Sequence, residues 1–304
     1  MNNTGFQHLL DIESLNQQQL DDLLKLSLQV ADQPQKFAGR LDGKVLVNLF
    51  LEPSTRTRIS FECAAKRLGM HVINFYPETS SSVKGEALID TFHTLQAMQP
   101  DVIAVRHSED GAVAMLADEA EAGVHVINAG DGCSEHPTQA LLDAVTLLRY
   151  RGTIEGLKVA IVGDITHSRV ARSDIALLSR LGVAEIRLAG PPELLPPAET
   201  NVVKLCSSLD EAVAGVDVII MLRIQRERFG ESAAPDESSY FDLWGLTSER
   251  MALAADRCVV LHPGPVNRGV EIASEVADGH QSLIRTQVQN GVYTRMAVLT
   301  ALAG

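Results

Sequence analysis

Eight short runs of apolar and β-branched residues alternate with stretches of helical periodicity, and this alternation restricts the fold more than any other feature of the chain. Four runs come first: KVLVNLF (44–50), HVINFY (71–76), DVIAVR (101–106) and VHVINA (124–129). Four more come later: KVAIVGD (158–164), EIRLAG (185–190), VDVIIML (216–222) and CVVLHPG (258–264). Runs this apolar read as parallel strands buried on both faces. Helical patterns fall between them near 55–69, 86–98, 110–122, 169–181, 208–214 and 247–255, and another starts after Pro137, a residue suited to a first helical turn. The chain opens with a helix, for which Ser14 and Gln17 form a capping-box pattern ahead of Leu20, Leu23, Leu24 and Leu28. A last amphipathic helix covers roughly 282–303.

Such alternation predicts parallel sheets joined by right-handed crossovers. The expected fold class is α/β, with two doubly wound parallel-sheet domains and an active site between them. The boundary is placed in the long helix ending near Arg151. One domain covers 1–150 and is completed by a C-terminal helix at 285–304; the other covers 151–284. The 304 residues suffice for two cores. The proline-rich PPELLPPAET (191–200) reads as a loop inside the second domain, and no repeat of 20–50 residues is visible.

Composition narrows the partners. With 39 acidic and 26 basic residues the formal net charge is -13, which disfavours a broad nucleic-acid or anionic-membrane surface. Aromatic content of 4% disfavours base stacking. No signal-peptide pattern and no apolar run of about 20 residues is seen. Cys63, Cys133, Cys206 and Cys258 are scattered, as expected of reduced thiols in a cytoplasmic protein.

In open α/β sheets ligands bind beyond the carboxyl ends of the strands. Cationic and hydroxyl residues recur there: EPSTRTR (52–58), TSSSVKGE (79–86), Arg106-His107, GDGCSEHPTQ (130–139), GDITHSRVAR (163–172), Arg223-Ile224-Gln225 and His262-Pro263-Gly264-Pro265. In a chain this acidic, the series implies a site for anions. Ser54, Thr55, Arg56, Thr57 and Arg58 open a helix whose buried face is Phe61, Ala64, Ala65 and Leu68. Free N–H groups, hydroxyls and a guanidinium fork suit phosphate oxygens; a plain capping turn with arginines in water is the plainer alternative. His136 precedes a helix, where a neutral imidazole can donate to a polarised carbonyl. Gln139, one turn on, reaches the same small group. Arg106 and Lys84, taken alone, also read as surface charges. The nucleotide P-loop, the dinucleotide glycine fingerprint, H-E-x-x-H and the EF-hand loop are all missing. No cofactor or metal is expected, since arginine supplies the charge.

Together FLEPSTRTR, SSVKGE, AVRH, NAGDG, HPTQ, VGD, MLRIQRER and HPGPVNRG, in this order, resemble the catalytic chains of the aspartate carbamoyltransferase family, within the aspartate/ornithine carbamoyltransferase superfamily. The likeness runs over essentially the whole chain. It implies transfer of a carbamoyl group from carbamoyl phosphate to L-aspartate in pyrimidine biosynthesis. By resemblance, Ser54, Thr55, Arg56 and Thr57 hold the phosphate, and Arg106, His136 and Thr57 hold the carbonyl oxygen. Gln139 and the backbone at Pro263 and Gly264 take the carbamoyl amide, while Arg169, Arg223 and Gln225 grip the aspartate carboxylates. Ser80 and Lys84 lie on a loop that, in the family, enters a neighbouring subunit's site. That implies a homotrimer with shared sites, and some relatives associate with a dihydroorotase-like or regulatory chain. Some members carry H-P-L-P where this chain has HPGPVNRG, and two extra residues precede Val270, leaving a role for Arg268 open. Ornithine or another amino acid as acceptor, and a non-catalytic assembly subunit of the same fold, stand as alternatives. A dinucleotide-dependent oxidoreductase lacks its glycine fingerprint.

Overall fold

The protein, seen in a computed structural model, is described over residues 5–79, 85–197, 200, 202–224 and 237–304. In chain order the elements are α1 (Gln17–Asp32), β1 (Val45–Phe50), α2 (Thr55–Arg67), β2 (His71–Asn74), α3 (Leu88–Gln96), β3 (Val102–His107), α4 (Ala112–Asp118), β4 (His125–Asp131), α5 (Pro137–Arg151), β5 (Lys158–Val162) and α6 (Arg169–Arg180). They continue with β6 (Glu185–Ala189), β7 (Val203–Leu205), α7 (Leu209–Val213), β8 (Val218–Met221), α8 (Glu237–Trp244), α9 (Ser248–Met251), β9 (Val259–Leu261), α10 (Ser274–Ala277) and α11 (Ile284–Ala303).

The chain forms two compact units. One comprises Met1–Val145 with Val288–Gly304, the other Thr146–Gln287. The first holds a four-stranded sheet in the order β2-β1-β3-β4; the second holds a five-stranded sheet in the order β7-β6-β5-β8-β9. Every pairing in both is parallel. The expected α/β class with doubly wound parallel sheets is therefore the fold observed.

Each sheet is buried by its own crossover helices. In the first unit Val47, Leu49, Ile103, Val105 and Val126 pack with Phe92, Val113 and Leu116. In the second, Ala160, Val162, Ile219, Met221 and Val260 pack with Leu209, Val213, Tyr240 and Trp244. On α2 the residues that turn inward are Thr57, Phe61, Ala64 and Ala65, followed by Leu68.

The two sheets share a device at the amino edge. In the first unit Asp101, just ahead of β3, accepts from the Val45 N–H at 2.8 Å and from Lys44 Nζ at 2.8 Å. In the second, Asp217, just ahead of β8, accepts from the Lys158 N–H at 3.0 Å and from Arg151 at 2.6 Å. A carboxylate thus pins the first strand of each sheet, which would otherwise begin with an unmet amide donor.

Two details differ from the sequence reading. The first helix is capped by Asn16, not Ser14: Asn16 accepts from the Gln19 N–H at 2.9 Å and Gln19 Oε1 accepts from the Asn16 N–H at 2.9 Å. Asn16 and Gln19 carry the three-residue spacing that the box requires, and an Asn side chain caps as well as Ser. The edge strand β7 and helices α8 and α10 were not expected. Asp217→Ala is expected to lower the unfolding free energy of the second unit by about 1–3 kcal/mol, read from its denaturant midpoint. An unchanged midpoint would remove Asp217 from the account of sheet stability.

Candidate active site

A doubly wound sheet reverses its strand order once, and there the crossovers leave in opposite directions and open a crevice beyond the strand ends. The reversal falls between β1 and β3 in the first sheet and between β5 and β8 in the second. Ligands are therefore expected at the segments that leave the carboxyl ends of those four strands.

After β1 the chain turns through Glu52 and Pro53 to Ser54, which is extended at φ -156 and ψ 105, and α2 begins at Thr55. The Ser54 side chain makes no capping hydrogen bond. The first N–H groups of α2 accordingly lack the usual hydroxyl acceptor and stand as anion donors at the positive end of the helix. Thr57 is buried, Ser54 is half-buried, and Thr55 and Arg56 are exposed.

After β3 comes Arg106. Its guanidinium donates to Glu52 Oε1 at 2.5 Å and to the Ala129 carbonyl at 3.2 Å. Glu52 thus holds Arg106 beside the turn that starts α2, a partner that sequence reasoning did not single out. An acid among arginines in EPSTRTR was the available signal.

After β4 a tight loop carries the chain into α5. Gly132 has φ +45, and a side chain there would collide with Asp110, whose Oδ1 accepts from the Cys133 N–H at 2.6 Å. The loop delivers His136, 4% exposed, directly ahead of Pro137, and its carbonyl accepts from the Gln139 N–H at 2.8 Å. Gln139 is also buried, and its Nε2 donates to both oxygens of Asp143, at 3.1 and 3.2 Å.

In the second unit, β5 is followed by Gly163, with φ +127, where a Cβ would press on the Leu222 carbonyl after β8. Only glycine lets these two strand ends lie so close. Asp164, fully buried, accepts from the His167 N–H at 3.2 Å and lies 2.9 Å from its ring Nδ1. Ser168 caps α6 by accepting from the Ala171 N–H, and Arg169, the first helical residue, is buried. Arg223 comes after β8 and is half-buried.

After β9 stands His262, whose contacts fix its tautomer. The Gly264 N–H donates to Nδ1 at 2.8 Å, so the ring proton sits on Nε2, which donates to Glu271 Oε1 at 3.1 Å. The same oxygen accepts from the Asn267 N–H at 2.5 Å. This clamp shapes the backbone at Pro263 and Gly264. Burial, reinforced by Glu271 and Asp164, pushes the nearby Tyr240 phenol above its ordinary range. Arg268 plays a separate part: it pairs with both Asp278 oxygens, at 2.6 and 2.9 Å, on an exposed face.

The structure therefore brings Ser54, Thr55, Arg56, Thr57, Arg106, His136 and Gln139 to the carboxyl edge of the first sheet. Arg169, Arg223, Pro263 and Gly264 lie at that edge of the second. Ser80, Lys84 and Gln225 lie outside the described residues. Among the described residues no cluster of three His, Cys, Asp or Glu side chains could hold a metal ion.

Comparison with known proteins gives a consistent result. Residues 7–149 match the family profile described as aspartate/ornithine carbamoyltransferase, carbamoyl-P binding domain. Residues 155–302 match the profile described as aspartate/ornithine carbamoyltransferase, Asp/Orn binding domain. The aspartate carbamoyltransferase catalytic subunit of Methylorubrum populi is 52% identical over 300 residues, covering 97% of this chain and 94% of the relative. That of Bradyrhizobium diazoefficiens is 52% identical over 303 residues, covering 98% and 95%. Among solved structures, aspartate transcarbamoylase of Trypanosoma cruzi in complex with carbamoyl phosphate and aspartate superposes with a TM-score of 0.87 at 30% identity, covering 97% of this chain and 96% of that one.

Glu271→Leu keeps roughly the volume but strands two donors, the part-buried Asn267 N–H and the buried His262 Nε2–H. The expected cost is about 1–3 kcal/mol for each, measured by chemical denaturation. A variant as stable as the parent would show that the clamp does not hold the loop.

Proposed function

The chain belongs to the aspartate/ornithine carbamoyltransferase family, and on that premise we propose that it transfers the carbamoyl group of carbamoyl phosphate to the amine of L-aspartate. The products are N-carbamoyl-L-aspartate and phosphate, and the reaction serves pyrimidine biosynthesis. The observation that carries this reading is the pairing of residues with strand-order reversals: a hydroxyl-rich helix start and Arg106 at one, Arg169 and Arg223 at the other. One set suits a phosphate, the other a dicarboxylate. Ornithine presents an ammonium where a dicarboxylate has its second anion, and a cation such as Arg223 would repel it.

These groups suffice for the chemistry. The Ser54–Thr57 turn takes the phosphate through hydroxyls, backbone N–H groups and the Arg56 fork. Thr57, Arg106 and His136 face the carbonyl oxygen. An uncharged aspartate amine attacks the carbonyl carbon, negative charge grows on that oxygen, and donors already in place stabilise it. Losing one such donor costs on the order of 2.7–4 kcal/mol of barrier. The C–O bond to phosphate then breaks, and the departing phosphate is basic enough to take the proton that the amine sheds. Holding two small acids in reactive alignment is the other large contribution, up to about 7–11 kcal/mol. Gln139 and the backbone of Pro263 and Gly264 receive the carbamoyl amide. Neither a cofactor nor a covalent enzyme intermediate is required.

The same reading makes the first unit the carbamoyl-phosphate domain and the second the aspartate domain. It makes the protein a cytoplasmic homotrimer in which Ser80 and Lys84 complete a neighbour's site, with surface left for a dihydroorotase-like or regulatory chain. The family resemblance of SSVKGE and HPGPVNRG supports this part.

Arg223→Ala is expected to raise the KM for aspartate more than about tenfold while that for carbamoyl phosphate stays within about twofold. Equal rises for both substrates would undo the assignment to aspartate. Chains inactivated by Lys84→Ala, mixed with chains inactivated by His136→Ala, should regain activity through hybrid sites. Mixed trimers that stay inactive would show that sites are not shared.

A further inference from the structure

A side-chain amide presents opposite hydrogen-bonding senses at its two ends, so its orientation decides which ligand group it accepts. For Gln139 that orientation is forced. Its Nε2 faces both Asp143 oxygens, at 3.1 and 3.2 Å, and an ionised carboxylate can only accept. The two residues stand one turn apart on α5, the spacing at which Gln and Asp meet. Asp143 is the deeper of the pair, 2% exposed. The amide nitrogen is thus drawn back along α5, and Oε1 is left toward the start of the helix, at the sheet's carboxyl edge.

A carboxylate buried this far is costly unless a cation compensates it. Arg295, from α11, is a cation whose charge acts on it. It is 3% exposed and donates to Ser60 Oγ at 3.1 Å, to Thr138 Oγ1 at 3.2 Å and to the Gly291 carbonyl at 3.1 Å. Its guanidinium also lies 5.1 Å from the Phe61 ring centre. Burial lowers its pKa to about 10, Asp143 acts in the opposite direction, and Arg106 adds to the lowering. One buried guanidinium therefore ties the second turn of α2 to the first turn of α5, within electrostatic reach of the carboxylate that orients Gln139.

We propose that Asp143, with Arg295 as its counter-charge, is a positioning residue that sets donor selectivity: it holds Gln139 with its oxygen toward the ligand, so the site takes an acyl phosphate whose acyl carbon bears an NH2 group and rejects one bearing a methyl. The inference rests on the reading of Gln139 as the acceptor for the carbamoyl amide.

The test uses two non-reactive donor analogues, phosphonoacetamide, which bears the NH2, and 2-oxopropylphosphonate, which bears a methyl in its place. Their dissociation constants are measured calorimetrically on the full-length enzyme, with inorganic phosphate as reference. The parent enzyme prefers the amide. In Asp143→Asn the neighbour offers a donor as well as an acceptor, and Gln139 can turn over. The preference then falls at least about tenfold while phosphate affinity moves less than about twofold. A preference left intact, or a loss shared equally by phosphate, overturns the proposal. Gln139→Leu separates the two levels: if it keeps the preference, the role given to Gln139 is wrong. If it abolishes the preference while Asp143→Asn does not, only the positioning role is wrong. Should Asp143→Asn fail to fold, Asp143→Glu is read instead. It keeps an acceptor-only group and retains the selectivity; losing it contradicts the proposal.

Discussion

Two anions repel each other, and a chain with 39 acidic against 26 basic residues repels both before either can bind. The placement of the site's cations answers that constraint. Four of the cations are concentrated at the strand ends. Arg56 and Arg106 stand at the carboxyl edge of one sheet, Arg169 and Arg223 at that of the other, each beside a reversal of strand order. Helix starts at Thr55, Pro137 and Arg169 add their positive ends at the same edges. Parallel strands make this economical, because every strand in a sheet delivers its next loop to one side.

Acids near the strand ends orient the side chains around the site. Glu52 aligns Arg106, Asp143 sets Gln139 and interacts electrostatically with Arg295, and Glu271 fixes the tautomer of His262. A buried carboxylate with its donors in place costs little and orients much; with a donor removed it becomes a liability. The net negative charge of the chain is therefore compatible with a site for anions. Acids such as Glu52, Asp143 and Glu271 serve orientation.

Much of the fold was legible because parallel strands buried on both faces are written as continuous apolar runs. All eight such runs became strands, within a few residues at each end. β7 escaped because Val203–Leu205 is a three-residue edge strand behind a proline-rich segment. α8 escaped because its apolar residues Tyr240, Phe241, Leu243 and Trp244 fall within five positions, too short a stretch to show a period. The first cap was misplaced by two residues, since Ser14 and Asn16 are both competent caps and only the backbone decides between them. At the site, residues just past the strands could be read directly. Their orienting partners mostly could not: Glu52 and Arg106 are 54 positions apart, Arg295 and Ser60 are 235 apart, and no local pattern announces such pairs. The exception was Gln139 with Asp143, whose four-residue spacing inside a helix was visible and was passed over.

The central claim is that cations at two strand-order reversals hold two small acids for reaction. A crystal structure with a bisubstrate mimic joining a phosphonate to an aspartate dicarboxylate tests it most directly. The account predicts the phosphonate on the Ser54–Thr57 helix start, with its carbonyl toward Arg106 and His136, and the carboxylates on Arg169 and Arg223. The compound lodged elsewhere, with Arg56 and Arg223 turned to bulk solvent, would contradict it.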